Sequence, residues 1–244
     1  MPLLYILYII IMSKKKIDNF EIENIYQRKD MKKFLKKVHN PNYELHHIEI
    51  PFRMLIIGSS GSGKTMSLLN ILRIFTNTFQ NIHIITKNSS EPLYQYLEEK
   101  MRNKSFKLTE GMNSLPLLDD FDKNENSLIV LDDMVLDKDQ SKICEFFIRA
   151  RKLNISLIYI SQSYFLVPKV IRQNLTYLII KQVSSQRNLK LIANEYSLGL
   201  DNKQLKKLYE FCTDEIPNFL LIDINNKNMR FRKNFDFVID ISSL

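Results

Sequence analysis

One eight-residue segment, Gly58–Thr65, constrains the fold of this chain more than any other feature of its sequence. The segment matches G-x-x-x-x-G-K-[ST] in full, which is the pattern of a phosphate-binding loop. The apolar run 54–57 precedes it, and apolar residues recur at helical spacing over 66–75 after it. A strand, a glycine-rich turn and a helix in this order are the context in which the motif forms a nucleotide site. This context disfavours the alternative of a flexible glycine–serine loop.

The residue types of the loop suit the binding of a nucleotide phosphate. Gly58, Gly61 and Gly63 allow the backbone to curl until its N–H groups point at phosphate oxygens, and the start of the following helix adds a positive field. We expect Lys64 to reach the β- and γ-phosphates of ATP, and the Thr65 hydroxyl to bind Mg²⁺. The predicted ATP-binding residues are Gly58, Ser59, Ser60, Gly61, Ser62, Gly63, Lys64 and Thr65.

Apolar runs alternate with helical patterns along most of the chain, which predicts an α/β fold. Strands are expected at 48–50, 54–57, 82–85, 128–131, 155–160 and 177–180, followed by a terminal hairpin over 219–224 and 228–232. Helices are expected at 66–75, 92–101, 140–152, 167–173, 186–196 and 202–212. The predicted architecture is that of a P-loop NTPase, with a mostly parallel central sheet and helices on both faces.

A pair of acids follows the apolar run 128–131 and forms the second signal. Four apolar residues ending in Asp132 and Asp133 fit a Walker B strand. Asp132 is expected to hold the Mg²⁺ shell, and Asp133 to polarise the attacking water as a general base. The alternative is a helix cap or a solvated turn, which the upstream phosphate loop disfavours.

The third signal is the strand 155–160, which ends in Ser161 and Gln162. Ligands of such sheets bind at the carboxyl ends of the strands. Gln162 is therefore expected to sense the γ-phosphate or to orient water. A polar strand end exposed to solvent is the alternative interpretation.

The chain resembles the FtsK–HerA superfamily of DNA-pumping ATPases, and within it the poxvirus-type packaging ATPases of large DNA viruses and virophages. The resemblance covers roughly residues 48–182. It depends on the phosphate loop and the acidic pair, and more specifically on the stretch 147–156 and on Ser161-Gln162. It departs from the family pattern at Lys152, where histidine is usual, and at Asp133, where many members carry glutamate.

The resemblance implies a ring-forming motor that uses Mg²⁺ and ATP to pump double-stranded DNA into a capsid. It implies a homo-oligomeric ring, contacts with capsid proteins and a place in the host cytoplasm, at the virus factory or with the virion. It also implies an arginine finger that acts across a subunit boundary. Arg151 best matches this finger, and Arg149 is the second candidate. The alternative for both is a basic helix end that satisfies the helix dipole.

The formal net charge of +8 suits a polyanionic partner such as nucleic acid, although scattered surface lysines explain it equally well. Cys144 and Cys212 have no metal or redox spacing and are interpreted as reduced core thiols of an intracellular protein.

The N-terminal part of the chain has a different pattern from the rest. Residues 1–44 are expected to form an extension with a helical pattern at 28–38, and residues 45–244 to form the ATPase domain. The apolar run 1–12 is shorter than the roughly 20 residues that span a bilayer, so a membrane association is not expected. Positive charge follows the run, whereas a signal peptide carries it in front. Translation from Met12 would omit the run, and a short membrane or capsid anchor is the alternative.

Three other functions remain open from the sequence. A helicase or DNA-transfer ATPase of the same superfamily would share every motif. A P-loop kinase or small NTPase would need an arginine-bearing lid, for which there is no clear pattern. A nucleotide-binding scaffold without activity would not need Lys64, Thr65, Asp132 and Asp133 together.

Overall fold

The computed structural model describes residues 22–34, 38–101, 105–196 and 198–241. The chain divides into two compact units, 1–38 and 39–244. The described part of the first unit contains two short 3₁₀ helices, Ile25–Gln27 and Lys32–Phe34. The helical pattern at 28–38 therefore forms turns and a 3₁₀ helix over its described residues, while 35–37 and the apolar run 1–12 lie outside them. The second unit begins at His39, ahead of the predicted domain start at residue 45.

The second unit alternates strands and helices as the sequence predicts. Its described α-helices are α1 (Tyr43–His46), α2 (Lys64–Ile74), α3 (Pro92–Met101), α4 (Ser141–Arg149), α5 (Lys169–Gln173), α6 (Gln186–Glu195) and α7 (Asn202–Cys212). Its described strands are β1 (Arg53–Ile57), β2 (Asn81–Thr86), β3 (Ser105–Glu110), β4 (Ser127–Asp132), β5 (Ile155–Ser161), β6 (Tyr177–Ile180), β7 (Leu220–Asp223), β8 (Phe231–Lys233) and β9 (Phe237–Val238). Short 3₁₀ helices cover Met112–Ser114, Leu118–Asp120, Met134–Leu136 and Ala150–Leu153.

The described strands form one sheet in the order β3-β2-β4-β5-β1-β6-β7-β8-β9. The first six strands of this order pair in parallel. The pairs β6–β7, β7–β8 and β8–β9 are antiparallel, which confirms the terminal hairpin and adds a strand to it. Parallel pairing brings the carboxyl ends of β1, β4 and β5 to the same edge of the sheet, where the predicted site residues follow.

Helices cover both faces of the sheet. Within β1, Leu55 and Ile57 belong to one core layer, while Met54 and Ile56 belong to the other. Helices α4 to α7 pack in the first layer, and α2 and α3 pack in the second. Burial of one Leu or Ile side chain stabilises a fold by about 1.5–3 kcal/mol, so such continuous apolar runs favour strands covered on both sides. The predicted architecture is confirmed.

The predicted strand at 48–50 is wrong. Ile48 is buried, but its N–H donates to Nδ1 of His46 at 2.9 Å, and the N–H of Glu49 donates to the Tyr177 hydroxyl. Pro51 has no N–H to give to a sheet. The N–H groups of Ile48 and Glu49 are therefore satisfied by side chains, and no strand ladder forms at 48–50.

Three further differences concern the end of one helix, an unpredicted strand and one cysteine. The predicted helix 140–152 ends at Arg149 and continues as the 3₁₀ helix Ala150–Leu153. Strand β3 is absent from the sequence prediction, because it is a partly exposed edge strand with a mixed pattern. Cys212 is buried as expected, whereas Cys144 is only half-buried.

Within the described ranges, no helix combines the length and the apolar composition needed to cross a membrane.

Candidate nucleotide-binding site

The predicted phosphate loop forms the turn between β1 and α2. Helix α2 begins at Lys64, and Gly63 caps it with φ +81° and ψ 33°. This left-handed conformation is strained for residues with a side chain, and glycine adopts it readily. Lys64 and Thr65 are thus the first two residues of the helix, where the free N–H groups of the first turn favour an anion.

Gly58 is required for a different reason, which is the close approach of other atoms. A Cβ atom placed on Gly58 would lie 2.4 Å from Oγ of Ser62 and 2.6 Å from Cβ of Lys181. Both distances are far below van der Waals contact. Any side chain at this position would therefore push the loop away from the end of β6.

Hydrogen bonds attach the loop to its neighbours in the sheet. The N–H of Ser59 donates to the carbonyl of Gln182 at 2.8 Å, and the N–H of Ser184 donates to Oγ of Ser59 at 2.7 Å. The N–H of Gly58 donates to the carbonyl of Ser161 at 3.3 Å. The start of the loop is therefore held between the ends of β5 and β6.

An open cavity of about 300 Å³ lies between the loop and the ends of β4 and β5. The residues that line it are Ser60, Gly61, Gly63, Lys64, Thr65, Met66, Glu91, Leu93, Asp132, Asp133 and Gln162. The fold thus brings together eight of the predicted site residues. Gly58, Ser59 and Ser62 belong to the loop but do not line the cavity.

Lys64 reaches across the loop toward the acidic side chains. Its Nζ donates to the carbonyl of Ser59 at 3.0 Å. Burial lowers the pKa of Lys64, while the charges of Asp132, Asp133 and Glu91 raise it. A half-buried ammonium group on the cavity therefore feels the charges of three carboxylates on the same cavity.

Asp132 is the last residue of β4, and only 8% of its surface is exposed. Burial raises its pKa to about 6, and the neighbouring charges of Asp133 and Glu91 act in the same direction. A hydrogen bond from Tyr94 and the charge of Lys64 lower it. The Tyr94 hydroxyl donates to Oδ2 of Asp132 at 2.5 Å, which fixes the orientation of this carboxylate.

Asp133 and Gln162 are the residues that directly follow β4 and β5. Asp133 has φ 56° and ψ 33°, and its N–H donates to the carbonyl of Ile160 at 3.1 Å. This hydrogen bond to β5 turns the chain sharply at the end of β4. Gln162 follows β5, which lies between β1 and β4, so its exposed side chain is placed between the loop and the acidic pair.

Arg151 does not line the cavity of its own chain. It is an exposed residue of the 3₁₀ helix Ala150–Leu153, which precedes β5. Strand β5 has seven residues, so about 20 Å separate its two ends. Arg149 lies at the end of α4 and pairs with Glu145. Both arginines are therefore at the opposite edge of the sheet from the phosphate loop.

Three residues beside Asp132 are missing from the sequence prediction: Glu91 and Leu93, which line the cavity, and Tyr94, which donates to the Asp132 carboxylate. They follow β2 at the start of α3, and β2 pairs with β4 in the sheet. Knowledge of the strand order would place these residues beside Asp132, but no local sequence motif identifies them. The sequence shows only an acid before the helical pattern at 92–101, which by itself indicates the start of a helix.

Comparison with known proteins identifies the family. A family model described as Poxvirus A32 protein matches residues 42–229. The DNA packaging protein OPG160 of Variola virus is 27% identical over 143 residues, which is 53% of this chain and 53% of that protein. The chain thus spans about half the length of this relative. The resemblance to poxvirus-type packaging ATPases is confirmed.

Solved structures share the fold. The genome packaging NTPase of Sulfolobus turreted icosahedral virus 2, in complex with AMPPCP, has a TM-score of 0.54 and 14% identity and covers 75% of this chain and 97% of that chain. The pCW3 conjugation coupling protein TcpA has a TM-score of 0.56 and 13% identity, and the match covers 79% of this chain and 62% of that chain. Because the family model matches well over half of its residues, the chain belongs to the Poxvirus A32 protein family.

Proposed function

We propose that this chain is a Mg²⁺-dependent ATPase that packages double-stranded viral DNA. One observation supports this above the others. A single cavity brings together the phosphate loop, the acidic pair at the end of β4 and Gln162 at the end of β5. A binding protein without activity would need only the loop, whereas hydrolysis needs all three.

The loop fits the phosphates of ATP. Gly63 ends the loop in a conformation that presents the first N–H groups of α2 to the cavity, and Lys64 adds a positive charge there. Backbone donors and a helix start together favour an anion. The genome packaging NTPase of similar fold was solved with the ATP analogue AMPPCP, which agrees with this assignment.

The acidic side of the cavity fits a magnesium ion. Asp132, Asp133 and Glu91 face the cavity with Lys64 as the cation among them, and their mutual repulsion contributes to the raised pKa of Asp132. Mg²⁺ prefers oxygen ligands, and Thr65 and Asp132 would supply a hydroxyl and a carboxylate. The ion would neutralise charge on the β- and γ-phosphates when bound.

Two residues are proposed to activate water. Asp133 would accept the proton of the attacking water, and Gln162 would orient that water by hydrogen bonds. Glu91 is a second carboxylate on the same cavity and an alternative acceptor. We assign the base to Asp133, because it directly follows the magnesium ligand Asp132 and is held there by its backbone bond to Ile160.

Packaging of DNA is proposed from the family and from charge. The relative of this chain in Variola virus, OPG160, is named a DNA packaging protein. The net charge of +8 on this chain suits the phosphate backbone of a DNA duplex. The proposal includes a homo-oligomeric ring, capsid proteins as partners and a location in the host cytoplasm, at the virus factory or with the virion.

The position of Arg151 supports action between subunits. Arg151 lies about one strand length from the phosphate loop of its own chain, so it would need to enter the site of a neighbour. There its guanidinium would stabilise charge on the γ-phosphate, an effect worth about 10³–10⁵ in rate where it has been measured. Arg149 is the second candidate, and in this chain it forms an exposed ion pair with Glu145.

The test is the steady-state rate of ATP hydrolysis with and without long double-stranded DNA, over a series of salt concentrations. We expect DNA to raise the rate and added salt to remove the effect, since contacts to phosphate are salt-sensitive. A rate that is indifferent to DNA would favour a small-substrate NTPase. Separation of a forked duplex during hydrolysis would favour a helicase.

A further inference from the structure

Lys181 lies directly behind the phosphate loop, although no motif points to it. It follows the last residue of β6, and its N–H donates to the carbonyl of Ile57 in β1 at 2.8 Å. Its side chain is fully buried. The stem passes Gly58, and a Cβ atom placed on Gly63 would lie 3.7 Å from Nζ. Lys181 is not among the residues that line the cavity, although its ammonium group lies this close to the position of a Cβ atom on Gly63.

The positive charge of Lys181 lacks an acidic partner among the described residues. Its Nζ donates to the carbonyl of Pro217 and lies 5.4 Å from the centre of the Phe219 ring. Burial lowers its pKa to about 8, with no carboxylate to oppose the shift, so the group is still mostly charged at neutral pH. A buried charge without a counter-ion destabilises a fold. An anion on the cavity side of the loop would compensate it.

The same lysine joins the loop to the segment 213–217, which follows α7. A Cβ atom on Gly63 would also lie 3.3 Å from Cγ2 of Ile216, next to the carbonyl of Pro217 that Lys181 binds. Nε2 of Gln182 donates to the carbonyl of Thr213 at 3.0 Å. Gly63 therefore lines the cavity and also lies close to Lys181 and to this segment.

We propose that Lys181 is a positioning residue of the nucleotide site, whose buried ammonium group holds the loop against segment 213–217 and attracts the nucleotide phosphates through it. The inference rests on the proposed function, because it requires that phosphates occupy the cavity. Phosphates would supply the counter-charge that the chain lacks around Lys181. Since a phosphate loop of this type would hold the β-phosphate, ADP and ATP should benefit equally, whereas the chemical step should not depend on Lys181.

The test uses Lys181→Met, which keeps the length of the stem and removes the charge. Lys181→Arg keeps the charge, and Lys142→Met is the matched control at an exposed position of α4. Affinities for ADP and ATPγS are measured by calorimetry, and kcat and KM by steady-state hydrolysis. We expect Lys181→Met to bind both nucleotides about tenfold more weakly, with KM raised in parallel and kcat changed less than about twofold. Lys181→Arg should recover most of the affinity.

A folded Lys181→Met protein with unchanged affinity overturns the proposal, even if its Tm is lower, because lost stability alone reflects a structural role. Where the variant does not fold, hydrogen exchange of the wild-type protein decides. Bound ADP should slow exchange of the amides of Ile216, Asn218 and Phe219, and unchanged exchange overturns the proposal. A wild-type chain that binds neither nucleotide disproves the proposed site itself, and so separates that failure from a failure of Lys181 alone.

Discussion

The hydroxyl of Tyr94 donates a 2.5 Å hydrogen bond to Oδ2 of Asp132 and thereby connects the start of α3 to the end of β4. Both groups are buried. Without this donor, Asp132 would be a buried carboxylate with one partner fewer, and its orientation toward the cavity would be less well fixed.

Replacement of Tyr94 by Phe tests this relationship. We expect Tyr94→Phe to raise the Mg²⁺ concentration for half-maximal hydrolysis several-fold and to reduce the free energy of unfolding by about 1–2 kcal/mol. Magnesium titrations of the hydrolysis rate and urea unfolding measure the two effects. Tyr96→Phe is the control, since Tyr96 is an exposed residue of the same helix. Equal magnesium dependence in both variants would show that Tyr94 does not support the metal site.

Removal of the Lys64 charge should abolish hydrolysis. In Lys64→Ala, the phosphates would lose the cation that faces them in the cavity, and we expect kcat to fall by at least about 10²-fold. Lys142→Ala, at an exposed site on α4, should retain the wild-type rate. Normal turnover by a folded Lys64→Ala protein would disprove the assignment of the phosphate loop.

The two carboxylates that could accept the proton of water can be compared directly. We expect Asp133→Asn to lower kcat by about 10²-fold or more, and Glu91→Gln by less than about tenfold, if Asp133 is the general base. Glu98→Gln, an exposed change on α3, controls for loss of charge near the helix. The reverse order of the two effects would transfer the base to Glu91.

Much of this site can be predicted from sequence because its elements are local. The loop 58–65 carries its own motif, and the acids at the end of β4 and the glutamine after β5 each follow a largely apolar strand. Tyr94, Glu91 and Lys181 could not be predicted, because their roles depend on which strands are neighbours. The pairing of β2 with β4 places the first two beside Asp132, and the pairing of β6 with β1 places Lys181 behind the loop.

Mixing of inactive variants tests whether Arg151 acts between subunits. Arg151→Ala would lack the finger, and Asp133→Ala would lack the base, so each alone should be nearly inactive. In the proposed ring, an Asp133→Ala subunit would supply Arg151 to a neighbour whose own base is intact, and hydrolysis should partly recover. Arg149→Ala should retain most activity, because we assign the finger to Arg151. No recovery at any mixing ratio would count against the role of Arg151.

His46 makes the stability of the domain depend on pH. Its Nδ1 accepts a hydrogen bond from the N–H of Ile48, and burial, followed by the nearby charge of Arg232, lowers its pKa from 6.5 to about 4. The unfolded chain therefore takes up a proton near pH 6.5, whereas the folded chain does so only near pH 4. Between these values the unfolded state binds more protons, so the stability from neutral His46 is complete above pH 6.5 and is lost as pH falls toward 4.

Comparison with His46→Asn isolates this contribution. Urea unfolding between pH 7 and pH 4 should show the wild-type protein losing about 3 kcal/mol more than the variant over this range. Asp132, whose pKa is raised to about 6, changes stability in the opposite direction, but it is present in both proteins and cancels from the difference. His39→Asn, at an exposed position, should follow the wild-type curve. Parallel curves for wild type and His46→Asn would mean that His46 titrates normally in the folded chain, and that the acid sensitivity of the domain has another source.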